Sequence, residues 1–462
     1  MKGKCGRLAR IRSSLLALAS LLVASSAAAQ APRLTGRVDI DLPRGLLSGD
    51  VCLSDLPARD TLRFLLNRGL VVAAVRDGKG RLLAHGGFYG GRVVGEGVSY
   101  AVPDRGRALR ELCVRYGGAF PVYGKLRSVT DDKGVIAFDS ATVRASEQTR
   151  WYPTLVDPES GAEATDVRYD LTIRCVECRE IYLNGSSPGS GPELSARSSV
   201  PRPLLLYAGS FEVHERDGAV YLGAGVSDAA ASVIGGTVDS VKDGYAAFLG
   251  LPYRDAPVFL DFWPVTPRGE HAGWAFTTWP TIAMAERTSF DDLVRDGRMT
   301  HDYGHLLAHE MGHYYFGTMY RPSGPYFWFL LESTAEYLSL RAMRSLEGRD
   351  AYRKELGFYV RHLPADSALA PLDRIRSREQ IGGAYRYRYG PLLLVSLERA
   401  AGSEAVGRLL HDLLAGRGSP RTWPDFRRLA AKAGIDEATW RRWVETCVDP
   451  PARESCLARL GS

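Results

Sequence analysis

His309-Glu310-Met311-Gly312-His313 places two imidazoles four residues apart, with a carboxylate beside the first. Residues four apart share one face of a helix, so His309 and His313 can reach a single metal ion. Zinc suits two imidazoles and a carboxylate, with a fourth position left for water. Glu310, next to the first ligand, is placed to take a proton from that water. Glu332 follows His313 after eighteen residues, inside the apolar run Phe327-Trp-Phe-Leu-Leu-Glu332. A bare carboxylate there is costly unless it is paired or bound to metal, which makes Glu332 the third ligand. Glu336 lies one helical turn later on the same face and can hydrogen-bond the outer nitrogen of a ligating histidine. His301 and His305 continue the face at the same spacing. With no glutamate placed as base and no matching third ligand, they read as a surface residue and a core or supporting residue. One zinc ion per chain is expected.

The segments that must position these residues change character along the chain. Short apolar runs bounded by Gly, Asp and Pro fill residues 32–190, with turn dipeptides at Asp77-Gly78 and Asn184-Gly185. Val167-Arg-Tyr-Asp-Leu-Thr-Ile alternates as a half-buried strand does. These features predict an N-terminal β-domain. Residues 186–203, rich in Ser, Pro and Gly, read as a linker. Residues 204–285 mix strands with a helix near 227–249. Beyond 288 the pattern is helical, with Ser403 and Asp436 where N-caps belong. The catalytic domain is expected over 204–460.

The 462-residue chain is 45% hydrophobic with a net charge of +6, a composition that excludes wholly disordered and collagen-like chains. Much of the charge is local. Lys2, Lys4, Arg7, Arg10 and Arg12 precede the apolar run 13–24, and AAAQA at 27–31 offers small-residue cleavage sites. Residues 1–31 therefore read as a secretory signal peptide, too short in its apolar part for a membrane span. Removing those five cations leaves about +1, which gives no reason to expect nucleic acid as a partner. Six cysteines remain after Cys5. An even count in an exported chain points to disulfides. Local spacing favours Cys175–Cys178 and Cys447–Cys456, leaving Cys52–Cys113, out of fifteen possible pairings. Periplasmic or secreted localisation is expected.

HExxH, eighteen residues, then Glu resembles the gluzincin metallopeptidases of the aminopeptidase N family. Phe329-Leu-Leu-Glu332-Ser-Thr-Ala-Glu336-Tyr is similar to that family's W-L-x-E-G-x-A-E-Y segment, and Tyr387-Arg-Tyr-Gly390 to its Y-x-K-G segment. The resemblance implies an α+β chain: an antiparallel β-sandwich followed by a thermolysin-like, mostly helical catalytic domain that hydrolyses peptide bonds. It puts Tyr387 in the role of oxyanion donor, with Tyr385 and Tyr389 as rivals. Arg150-Trp-Tyr-Pro153 and the later Asn184-Gly185 look like the course that ends the family's β-domain. The family's substrate-binding G-x-M-E-N strand has its counterpart in Gly273-Trp274-Ala275-Phe276-Thr277, whose edge is expected to pair with a peptide. Phe276 stands where the family carries the glutamate that holds a substrate's free amine, and cation–π contact is a weak substitute. Glu270 is nearby but out of register. Ser333 and Tyr389 replace a Gly and a Lys of the family pattern. The family's long C-terminal helical domain has no counterpart, so a more open cleft and longer substrates are expected. Peptide or protein substrates follow, with aminopeptidase and endopeptidase action both open. The alternative is a zinc-bearing binding protein without turnover.

Overall fold

Alternating burial builds the first half of the chain. In Val167–Val176 the side chains of Val167, Tyr169, Leu171, Ile173 and Cys175 are buried, while most of their neighbours stay part-exposed. This strand lies in a six-stranded sheet ordered Glu193–Arg202, Val167–Val176, Arg33–Asp41, Leu46–Ser54, Glu111–Ala119, Val71–Asp77. Its inner face packs on a five-stranded antiparallel sheet that includes Thr61–Asn67 and Gly97–Pro103, and the two share one core with Val38, Phe64, Val102 and Leu171. The layers are those of a sandwich. Arg33–Asp41 runs parallel to Val167–Val176, and Val122–Tyr123 runs parallel to Ala137–Asp139, in otherwise antiparallel surroundings. The computed structural model describes residues 31–460 apart from 89–95, 107, 124–130, 160, 266–273, 286–288, 365–368, 417–419 and 450–451. All but the last residue of the expected signal peptide, and also Glu270 and Gly273, lie outside the described residues.

The linker reading of 186–203 is corrected: Glu193–Arg202 is the edge strand of the first sheet, antiparallel to Val167–Val176. Only Ala196 of this strand is fully buried. A strand wet on both faces needs no apolar alternation, and Pro201 is tolerated at an edge. The chain leaves the N-terminal sheets after Leu206–Gly209, which pairs with Thr142–Ala145 and Glu180–Leu183.

The second half begins with a sheet ordered Glu212–Arg216, Ala219–Gly223, Val258–Phe262, Thr281–Ala285, Ala275–Thr278. Ala275–Thr278 is its antiparallel edge. The helices are α1 (Asp228–Leu249), α2 (His301–Tyr315), α3 (Thr334–Leu346), α4 (Arg349–Arg361), α5 (Gly390–Ala401), α6 (Ser403–Ala415), α7 (Trp423–Lys432), α8 (Glu437–Trp443) and α9 (Ala452–Ala458). Ser227 caps α1 by accepting from the Ala230 N–H, and Asp436 caps α8 through Thr439. The expected cap at Ser403 is displaced by one residue: Gly402, at φ 89°, takes the capping position and Ser403 is already helical. Positive φ costs glycine little, which explains the shift. Ala31–Ser462 form one compact unit. A small core of Tyr182, Tyr207, Leu260, Phe262 and Phe276 joins the N-terminal sheets to the second-half sheet. The three disulfides are Cys52–Cys113, Cys175–Cys178 and Cys447–Cys456, as local spacing favoured.

Candidate metal centre

Two helices make the centre by packing unusually close. A Cβ built at Gly312 of α2 would lie 2.9 Å from the Ala335 Cα of α3, so glycine is what permits this approach. The crossing sets His309 and His313 opposite the π-helical turn Phe329–Ser333, which leads into α3 and carries Glu332. Such turns widen the helix by one residue per bond ring and recur at functional sites. Glu332 Oε2 lies 3.4 Å from His309 Nε2 and 3.5 Å from His313 Nε2.

The outer nitrogens fix the rings. His309 Nδ1 lies 2.5 Å from Glu336 Oε2, and His313 Nδ1 lies 3.0 Å from the Phe316 carbonyl. Both acceptors call for a proton on Nδ1, which leaves the two Nε2 atoms facing Glu332 as the positions a metal would take. One ligand atom from each of His309, His313 and Glu332 falls within 4.8 Å of the others. Ligands about 2.0–2.1 Å from a tetrahedral ion stand roughly 3.3–3.4 Å apart, close to the His–Glu separations above. The donor set and its spacing therefore fit zinc. The remaining cluster of ligand-type residues among those described, Cys52, Glu111 and Cys113, has its two thiols joined as a disulfide.

Burial works against ionised carboxylates here, but the imidazoles outweigh it. Glu332 is held well below the usual carboxylate range by His313 and His309, and Glu336 by His305 and His309. Burial likewise opposes a charged His309, yet hydrogen bonds to Glu332 and Glu336 push its pKa well above 6.5. Glu336 is itself held from three sides. Beside His309, His305 Nε2 lies 2.8 Å from its Oε1 and the Tyr359 hydroxyl of α4 donates to the same oxygen, while Ser339 in turn supports His305 at 3.1 Å. His305 is thus a supporting residue rather than a ligand. His301 sits at the rim between Glu347 and Glu355, at 2.7 and 3.3 Å.

Glu310 is buried, and Thr277 Oγ1 lies 2.9 Å from both its Oε2 and its carbonyl oxygen. That contact fixes the carboxylate against the edge strand Ala275–Thr278. Tyr387 projects from a second π-helical turn, Tyr385–Tyr389, which leads into α5. It is 43% exposed, and its ring centroid lies 5.9 Å from that of His309. Its rivals Tyr385 and Tyr389 are buried and pack edge-on against each other. Burial, then the charges of Glu332 and Glu310, keep the Tyr387 phenol protonated far above its ordinary range. The two π turns are joined where Ser333 Oγ donates to the Arg386 carbonyl at 2.8 Å. A Cβ at Gly390 would overlap the Ser333 side chain, so this glycine too is required by close approach.

Thr277, His309, Glu310, His313, Glu332 and Tyr387 line one cleft of about 2470 Å³. Trp274 and Ala275 are on its wall. Phe276 also lines the cleft but is only 6% exposed, packed against Trp274 and Phe262. Protein cations already occupy its surroundings, with Arg144 at 5.4 Å and Lys133 at 5.5 Å from the ring. Sequence reasoning missed Thr277, Tyr359 and Lys133, which come from elements distant in the chain. Thr277 stood at the end of a quoted motif without a role; no local signal marked the other two.

No protein-family model matches the sequence, and a search of curated proteins finds no significant match. Solved structures do match. An M1 zinc metallopeptidase from Deinococcus radiodurans superposes with a TM-score of 0.65 at 19% identity, over 92% of this chain and 95% of that one. A mutant of that protein bound to a Tyr-Ser-Ala substrate gives 0.64 at 20% identity, over 92% and 96%. Leukotriene A4 hydrolase from Saccharomyces cerevisiae gives 0.65 at 13% identity, over 91% of this chain and 68% of that one. The fold is that of the M1 zinc metallopeptidases, with β-sheets in the N-terminal part and helices in the C-terminal part.

Proposed function

We propose that this chain is an exported, zinc-dependent peptidase. The observation that carries the reading is the set of His309, His313 and Glu332 donor atoms at tetrahedral spacing, with Glu310 and Tyr387 lining the same cleft. A zinc ion held by those three residues supplies Lewis acidity toward a carbonyl and acidifies water. Glu310 takes a proton from the attacking water and returns it to the leaving amine. Thr277 keeps its carboxylate oriented for both transfers. Tyr387, kept protonated, donates a hydrogen bond to the developing oxyanion. Glu336 holds the Nδ1 proton of His309, so that the ring presents Nε2. The free edge of Ala275–Thr278 pairs with an extended substrate backbone.

Phe276, Arg144 and Lys133 leave no carboxylate free at the position where the resemblance implies an amine-binding glutamate. We therefore read the activity as not strictly dependent on a free N-terminus. Among the described residues no helix is long and apolar enough to cross a membrane. Export rests on the signal-like residues 1–31 and agrees with the three disulfides. The test is hydrolysis of one peptide with a free N-terminus beside the same peptide N-acetylated, with and without chelator. Chelator-sensitive cleavage of both is expected; cleavage of the free peptide alone contradicts the relaxed reading, and cleavage of neither contradicts the peptidase.

A further inference from the structure

The cleft has two walls with different charge arrangements. On the sheet wall, the Lys133 ammonium donates to the Thr277 carbonyl at 2.6 Å and pairs with Glu147 at 2.6 Å. Thr278 Oγ1 donates to the other Glu147 oxygen at 2.9 Å. The carboxylate on this wall that lies beside the edge strand is already neutralised by the protein's own cation.

Arg386 lies on the other wall, on the same π turn as Tyr387. Its backbone carbonyl is tied to Ser333, the residue after Glu332. Its guanidinium carbon sits 3.6 Å from the centroid of the Trp328 ring, and its Nε donates to the Ile381 carbonyl at 3.0 Å. Among the described residues no carboxylate pairs with it, and neither Nη has a protein acceptor. A solvated surface arginine has no need of three restraints. A guanidinium stacked, tethered and left with both Nη groups open to a cleft is prepared for a planar, two-oxygen partner. Arg376 and Arg421, exposed on the same cleft, have no side-chain ion pair with a carboxylate among the described residues either.

We propose that Arg386 is a specificity-determining residue that binds a carboxylate of the peptide substrate. The inference rests on the peptidase reading and deepens it: the fixed charge that this site recognises is an anion rather than an ammonium. The anion is either the C-terminal carboxylate of a short peptide or an Asp or Glu side chain.

The test is calorimetric titration of the zinc-loaded Glu310→Gln chain, which binds without turnover. Three tetra-alanine peptides are compared: the free acid, the C-terminal amide, and an amide with one Ala replaced by Glu. At least tenfold tighter binding of the free acid than of the amide is expected if the terminus is read, and of the Glu peptide if a side chain is read. Adding Arg386→Gln must erase that difference, with Arg386→Lys restoring part of it, while metal analysis shows zinc retained. Equal binding of all three peptides overturns the inference, as does discrimination that survives Arg386→Gln. Both outcomes leave the peptidase reading standing if the unsubstituted chain hydrolyses peptides. Failure of any peptide to bind or be hydrolysed overturns both readings.

Discussion

The His309 imidazole carries opposite demands on its two nitrogens, and the pH behaviour of the centre follows from them. In the metal-free chain, hydrogen bonds to Glu332 and Glu336 outweigh burial and hold a proton on the ring to well above pH 6.5. A metal ion needs the Nε2 lone pair, so binding must expel that proton. Affinity is therefore expected to rise with pH from about 6.5 up to the raised pKa, roughly tenfold per unit for one proton released, and to level off above it. Competition with a chromophoric chelator across that range checks this; a flat profile contradicts it. Glu336→Gln keeps the shape but removes the charge that faces Nδ1. About 10–100-fold weaker metal binding is expected, measured in the same assay. The pairing of His309 with His313 was legible in the sequence because helical spacing is local, and Glu332 because a carboxylate stood in an apolar run. The residues that brace them were not: Thr277 reaches Glu310 across 33 positions, and Tyr359 reaches Glu336 across 23.

At the scale of elements, the site depends on two close approaches. Gly312 lets α2 lie against Ala335 of α3, and Gly390 lets the second π turn lie against Ser333. Gly312→Val inserts a branched side chain where even a Cβ meets backbone. A loss of about 1–3 kcal/mol in unfolding free energy is expected, from overpacking, together with weakened metal binding. Chemical denaturation and metal titration of the variant check both. The sequence pattern placed Glu332 in a helical stretch and Tyr387 where a helix opens, but not the π turns that carry them. One extra residue within a turn leaves apolar periodicity almost unchanged, so hydrophobic spacing cannot report it. The strand Glu193–Arg202 was hidden for a different reason. Its polar composition is what an edge exposed on both faces requires, and it is indistinguishable from a linker until a partner strand is known.

For the whole molecule, the disulfides agree with the proposed export, and the cleft draws on both halves of the chain. Cys52 and Cys113 face each other across paired strands at a sequence separation of 61. Closing a loop of that length restricts the unfolded chain, so Cys52→Ala with Cys113→Ala is expected to cost about 2–4 kcal/mol in a denaturant titration. The three-residue separation of Cys175 and Cys178 confines far less of the unfolded chain and is expected to contribute less. The α+β class was readable because alternation and helical periodicity occupy separate stretches of sequence. The cleft was not, since Lys133 and Glu147 come from a turn and a short 3-10 helix in the N-terminal half and Arg386 from a helical turn more than two hundred positions away. The central claim is that Glu310 moves the proton at a zinc site built by His309, His313 and Glu332. The most direct measurement is peptide turnover and zinc content of Glu310→Gln beside the unsubstituted chain. The account predicts a fall in kcat of at least about a hundredfold, with one zinc retained per chain. Near-normal turnover by the zinc-loaded variant would contradict it.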